Sequence, residues 1–122
     1  MKREIITITD DGTVTVPDGV RMTIVEIADL FGIYYQTVKR HIRAIEKSGV
    51  ANGDYSMSCT CSGSQVYPDY YGLEMIASVA FRVRSAKTDA FRKWLIRKAV
   101  EDTARRPVLI VGNWKSSNIS LN

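Results

Sequence analysis

The stretch at residues 23–45, TIVEIADLFGIYYQTVKRHIRAI, constrains the fold more than any other, because its spacings specify two short helices meeting at a tight turn. Thr23 followed by Glu26 is a capping box, in which each side chain accepts from the other's backbone N–H at a helix start. Ala28 is small enough for two helices to approach closely, and Gly32 supplies the permissive backbone of the turn. Ile24, Ile27, Phe31, Ile33, Val38 and Ile42 recur at the spacing that buries one face of each helix. Together these signals predict helices over 23–31 and 34–48, the second closed by Ser48-Gly49. Tyr34 stands where a Ser, Thr or Asn cap is expected, and is read as a packing or phosphate-touching residue instead.

Between its buried positions the second helix presents Tyr35, Gln36, Thr37, Lys39, Arg40, Arg43 and Lys47, residue types that pair with bases and neutralise phosphates. Gln36 is the candidate base reader, since a carboxamide pairs bidentately with adenine, against the plainer alternative of a solvated helix residue. Lys39, Arg40 and Arg43, later along the helix, are assigned to phosphates. The charge distribution agrees. The net charge of +4 is modest, but residues 1–33 carry −3, residues 34–49 carry +3, residues 50–81 carry −3 with no Lys or Arg, and residues 82–106 carry +6. Two positive blocks set between acidic ones fit a nucleic-acid footprint, although the second also fits a solvated helix face.

The flanking segments alternate. Ile6 and Ile8 oppose Thr7 and Thr9, Asp10-Asp11-Gly12 makes a turn, and 13–16 alternate again, which predicts an N-terminal hairpin closed by Pro17-Asp18-Gly19. After the helices, Tyr55, Met57, Cys59 and Cys61 share one strand face, with Ser62-Gly63-Ser64 as the turn and 65–67 as the return strand before Pro68. A hairpin directly after the second helix is the layout of a winged helix, with Ser62 and Ser64 at a wing tip beside the backbone. Asp69 is read as the cap of a third helix with the stripe Leu73, Ile76, Ala77, Ala80 and Phe81. A long fourth helix carries Phe91, Trp94, Leu95 and Ala99 inward and ends at Pro107, before a short strand at 108–111 and a polar tail.

At 122 residues, with 45% hydrophobic and 25% charged side chains, the chain suits one ordinary globular domain over 1–107, with 108–122 appended. No signal peptide or membrane span is expected, and Cys59 and Cys61 fit reduced, cytoplasmic thiols packed in the strand face. His41, the single histidine, is read as a partly buried packing residue. Without further Cys or His ligands no metal is expected, and no cofactor, small-molecule substrate or catalytic constellation is called for. Asp10, Asp11 and Asp18 are better explained by turns than by a nuclease metal site.

The chain resembles the N-terminal region of bacterial RhuM-type proteins over about residues 5–100. The resemblance lies in MTIVEIADLFGIYYQTVKRHI, in the following Tyr-Gly-Leu-Glu-Met-Ile, and in FRVRSAKTDAFRKWL at 81–95. There Leu73-Glu74, Ile76, Arg82-Val83, Ser85, Phe91-Arg92 and Trp94 take the places of the family's Leu-Asp, Ile, Arg-Val, Ser, Phe-Arg and Trp. Ala80-Phe81 departs from it, standing where the family tends to have Gly-Tyr. The later half is also similar to phage and viral BRO-N type domains. Both resemblances imply DNA binding in mobile or virulence-associated elements, with no assigned catalytic residue. The expectation is an α+β winged helix-turn-helix that binds double-stranded DNA, to which a homodimer would add affinity through paired half-sites, with a protein-interaction module as the alternative.

Overall fold

Helix α1 (Ile24–Phe31) starts where the capping box places it. The Glu26 N–H donates to Thr23 Oγ1 at 3.2 Å and the Thr23 N–H donates to Glu26 Oε1 at 2.9 Å, so two donors that the helix start leaves over are satisfied. Gly32 ends α1 in the left-handed region, at φ 67° and ψ 38°, which a side chain would resist. Three residues after Gly32, α2 (Tyr35–Ser48) begins, and Gly49 closes it at φ 81°. Both helices end where the sequence predicts and begin one residue later, with Thr23 and Tyr34 as their N-caps.

The computed structural model describes residues 3–105, so Pro107, the strand expected at 108–111 and the polar tail lie outside the described residues. Within them the fold is mixed α+β, with four helices and two small antiparallel hairpins. The first hairpin pairs β1 (Thr7–Ile8) with β2 (Val14–Thr15) and turns at Gly12 (φ 90°). The second pairs β3 (Asp54–Ser62) with β4 (Gln65–Tyr70) and follows α2 directly. Helices α3 (Leu73–Ala80) and α4 (Ala86–Arg105) complete the order. Among the described residues no helix is long and apolar enough to cross a membrane.

One core joins these elements. Ile6, Met22, Ile27, Phe31, Val38, Ile42, Ile45, Tyr71, Met75, Ile76, Val79 and Phe91 are buried to within about one per cent of full exclusion. Phe31 of α1 meets Phe91 of α4 with ring centroids 5.6 Å apart, and Trp94 stacks on Phe91 at 5.8 Å. Such aromatic pairs contribute about 0.5–1.5 kcal/mol each beyond their burial. The start of α4 is fastened by side chains: Ser85 Oγ donates to the Phe31 carbonyl at 2.8 Å, and the Ser85 N–H donates to Thr88 Oγ1 at 2.8 Å. Arg92 donates to the carbonyls of Ala80 and Val83, serving acceptors left over where α3 ends.

Four expectations change. Asp69 does not cap a helix: Ser58 and Thr60 each donate to its carboxylate at 2.6 Å across the second hairpin, β4 runs on to Tyr70, and Gly72 is the N-cap of α3. Pro68 is accommodated because each strand of a two-stranded ribbon has a free edge, where a missing N–H is tolerated. Cys59 and Cys61 are exposed rather than packed, and so are Tyr55 and Met57. The register shifts between Asp54 and Cys59, and among the described residues no second sheet covers that part of the ribbon. The buried arc of α3 is Met75, Ile76, Val79 and Ala80; it is rotated away from Phe81, which is 57% exposed. Only the first half of α4 packs inward, so Ala99 is exposed along with its neighbours from Ile96 to Ala104.

Gly53 holds the join between α2 and β3. A Cβ there would run into the Pro68 ring and the Tyr71 ring, one stiff and the other fully buried. Gly53→Ala should therefore destabilise the protein by roughly 1–3 kcal/mol, the usual cost of overpacking. Denaturant unfolding measures it, and an unchanged midpoint would show that the join has slack.

Candidate nucleic-acid interface

Helix α2 has three longitudinal faces. Val38, Ile42 and Ile45 make the buried one. At 100° per residue Gln36, Arg40 and Lys47 line up opposite, and all three are exposed. Tyr35, Lys39 and Arg43 lie on the flank toward the second hairpin, while Thr37 and His41 lie on the other flank and are half-buried. Tyr34, at the N-cap, makes no side-chain capping bond and is 84% exposed. Among the described residues no ion pair or side-chain hydrogen bond engages Lys39, Arg40 or Lys47.

Between α2 and the second hairpin runs a groove of about 590 Å³, lined among others by Tyr35, Lys39, Arg43, Thr60, Ser62 and Tyr67. The structure thus brings Tyr35, Lys39, Arg43 and Ser62 together. Ser64 is exposed at the turn, beyond the groove lining, and Gln36, Arg40 and Lys47 form the ridge beside it. Thr60 and Tyr67 were not singled out from sequence. Thr60 belongs to the same alternating hydroxyl run as Ser62, a signal that was present. Tyr67 had no such signal, since it enters the groove only through its pairing with Thr60.

Arg43 is the correction within this set. Instead of pointing outward to a phosphate it is built into the protein: Nη1 donates to Glu46 Oε1 at 3.2 Å and to the Tyr71 hydroxyl at 3.1 Å. Its guanidinium lies 4.4 Å from the Tyr67 ring centroid. The cause is Tyr71, a buried hydroxyl needing a partner, together with Glu46 one turn along the helix. Burial pushes the Tyr71 hydroxyl above its ordinary pKa.

The carboxylates around the groove are committed likewise. Glu26 takes Arg3 at 2.7 Å; burial alone would raise its pKa, but the bonds from Arg3 and from Thr23 lower it. Asp54 is held down to about 2 by hydrogen bonds from Ser56 and Arg21, and Asp69 is lowered by Ser58 and Thr60. A further recess, of about 620 Å³, contains Arg21 and Asp54, already spent on each other at 2.6 Å. Among the described residues no group of three or more His, Cys, Asp or Glu could hold a metal.

The two arginines of α2 should separate cleanly in stability measurements. Arg43→Ala leaves Glu46 and the Tyr71 hydroxyl without their partner, a loss of about 1–3 kcal/mol. Arg40→Ala, on the exposed ridge, should stay within about 0.5 kcal/mol of the parent. Equal unfolding midpoints for the two variants would remove the structural role given to Arg43.

Comparison of the chain with protein-family models, with curated proteins and with solved structures found no match.

Proposed function

We propose that this chain binds double-stranded DNA through a winged helix-turn-helix, with α1 and α2 as the helical pair and the second hairpin as the wing. The observation that carries the reading is the charge state of α2's outer ridge. Gln36, Arg40 and Lys47 stand exposed in one line, with Lys39 beside them, and no carboxylate answers the three cations among the described residues. The acids that could have done so, Glu26, Glu46, Asp54 and Asp69, are occupied elsewhere. A ridge of cations around one carboxamide suits a major groove, where phosphates flank base edges. The Ser62 hydroxyl lines the same groove as Lys39 and suits the adjoining backbone, whereas that of Thr60 is spent on Asp69. Use in a mobile or virulence-associated element, as a regulator of transcription, is what the resemblance to RhuM-type proteins adds.

The exposure of Tyr34 at 84%, with Met57 and Val66 about half exposed on the hairpin, favours a second reading as a protein-interaction module. Salt separates the two. Neutralising several phosphates releases counterions, so affinity for random duplex should fall by orders of magnitude from low to physiological salt. No retention of any duplex at low salt would sink the DNA reading.

Within it, Arg40→Ala should weaken binding on every sequence alike, while Gln36→Ala should cost roughly 1–3 kcal/mol at one base position. Binding curves on a selected site and its scrambled version measure both. Equal losses on the two from Gln36→Ala would leave it a backbone contact.

A further inference from the structure

We infer that Arg82, together with Arg40 and His41, forms a second phosphate-binding platform, on the flank of α2 that faces away from the wing. The inference rests on the duplex-DNA reading and adds to it the strand across the groove. An α-helix with its side chains is about 10–12 Å across and the major groove about 12 Å wide, so an inserted helix has one sugar-phosphate backbone on each flank. On the wing flank Lys39 and Ser62 line the groove that would receive one backbone. The opposite flank carries no hairpin; the segment beside it is the link between α3 and α4, residues 81–85.

Arg82 in that link is exposed, and it shares a recess of about 310 Å³ with Ile45 of α2 and with Phe81. His41 lies one turn before Ile45 on the same helix. Burial lowers the pKa of His41, and the charges of Arg40 and then Arg82 lower it further, so both guanidinium groups act on one imidazole. No carboxylate contributes to that balance. The nearby acids are engaged elsewhere: Glu46 with Arg43 on the other flank and Asp89 with Arg92 on α4. Arg3, Arg21, Arg43 and Arg92 each hold a carboxylate, but no ion pair among the described residues engages Arg40 or Arg82. Arg40 precedes His41 on α2 and Arg82 lies beside the next turn at Ile45, so three basic groups gather on this flank, with no ion pair among the described residues to answer either arginine. A phosphodiester oxygen set among them relieves their mutual repulsion. The preferred ligand class is therefore a nucleic-acid backbone phosphate.

His41 gives this platform its own signature. In the free protein its charged form is disfavoured; a phosphate beside it favours that form, so binding raises its pKa and takes up a proton. Affinity then rises as pH falls from about 7.5 to about 5.5 and levels off once the free imidazole is itself charged. The chain has one histidine, so no other side chain of ordinary pKa titrates within that window.

The test is binding of a random-sequence duplex by the full chain, as a function of salt and of pH, for the parent, Arg82→Ala, Arg82→Lys and His41→Gln. Arg82→Ala should flatten the log-affinity against log-salt slope by roughly one and weaken binding several-fold on all sequences. Arg82→Lys should restore the slope, and His41→Gln should abolish the gain toward acid pH. A parent that binds with normal salt dependence, matched in slope and affinity by Arg82→Ala, overturns the platform and leaves the wing-side reading standing. A parent that retains no duplex at any salt overturns both.

Discussion

Tyr71 is the contact on which the rest of the arrangement depends. It is fully buried, and three elements meet on it. Its backbone forms a two-way bridge with Met22, with N–H to O distances of 2.8 and 2.9 Å, which pins the entry to α1 against the exit from β4. Its ring stands where Gly53 must have no side chain, at the start of the second hairpin. Its hydroxyl accepts from Arg43, which reaches down from α2. A buried phenol without a partner costs on the order of 1–3 kcal/mol, so the arginine is needed inside rather than outside. Tyr71 thereby ties α2 and the entry to α1 to the second hairpin through one side chain.

That commitment also decides which cations remain for a ligand. Tyr67, across the ribbon from Thr60, covers the Arg43 guanidinium, while Glu46 supplies its counter-charge. Arg3 repeats the pattern three positions along the same strand, over Tyr70 and against Glu26. Both arginines bind the hairpin to the helical pair by stacking and ion pairing at once, a use for which the planar guanidinium is better suited than an ammonium. Among the described residues, the cations left over on α2 are Lys39, Arg40 and Lys47, with Arg82 beside it. They share no carboxylate because the local ones are already held.

Much of this was legible in the chain and some was not, for physical reasons. Thr23, Glu26 and Gly32 act through bonds and backbone angles only a few residues apart, so the bounds of α1 and α2 could be read directly. The first hairpin could be read for the same reason, from Asp11-Gly12 and the alternation of Ile6 and Ile8. Burial on the second hairpin could not, since alternation states which residues share a face but not whether another layer covers it. Cys59 and Cys61 therefore look like core residues in sequence and stand in solvent in the fold. Asp69 looked like a cap because its partners, Ser58 and Thr60, lie across a strand pair. Sequence groups Arg43 with the outward-facing Lys39 and Arg40 for a similar reason: the Tyr71 hydroxyl it serves lies 28 positions away.

The same distinction explains why the candidate interface was half visible. The ridge of Gln36, Arg40 and Lys47 lies on one helix and obeys a single period, so sequence alone assembles it. The groove is a property of two elements tied together by Tyr71, and Thr60 and Tyr67 enter it only through strand register. Arg82 is a further case, placed beside α2 by the packing of α3 on that helix. Helix α2 is consequently the fixed axis of the site: its buried face carries the core, and its two flanks receive chemistry from segments that follow it in the chain. A charge tally finds the two basic blocks, but only the packing of α3 against α2 makes one of them the continuation of the other.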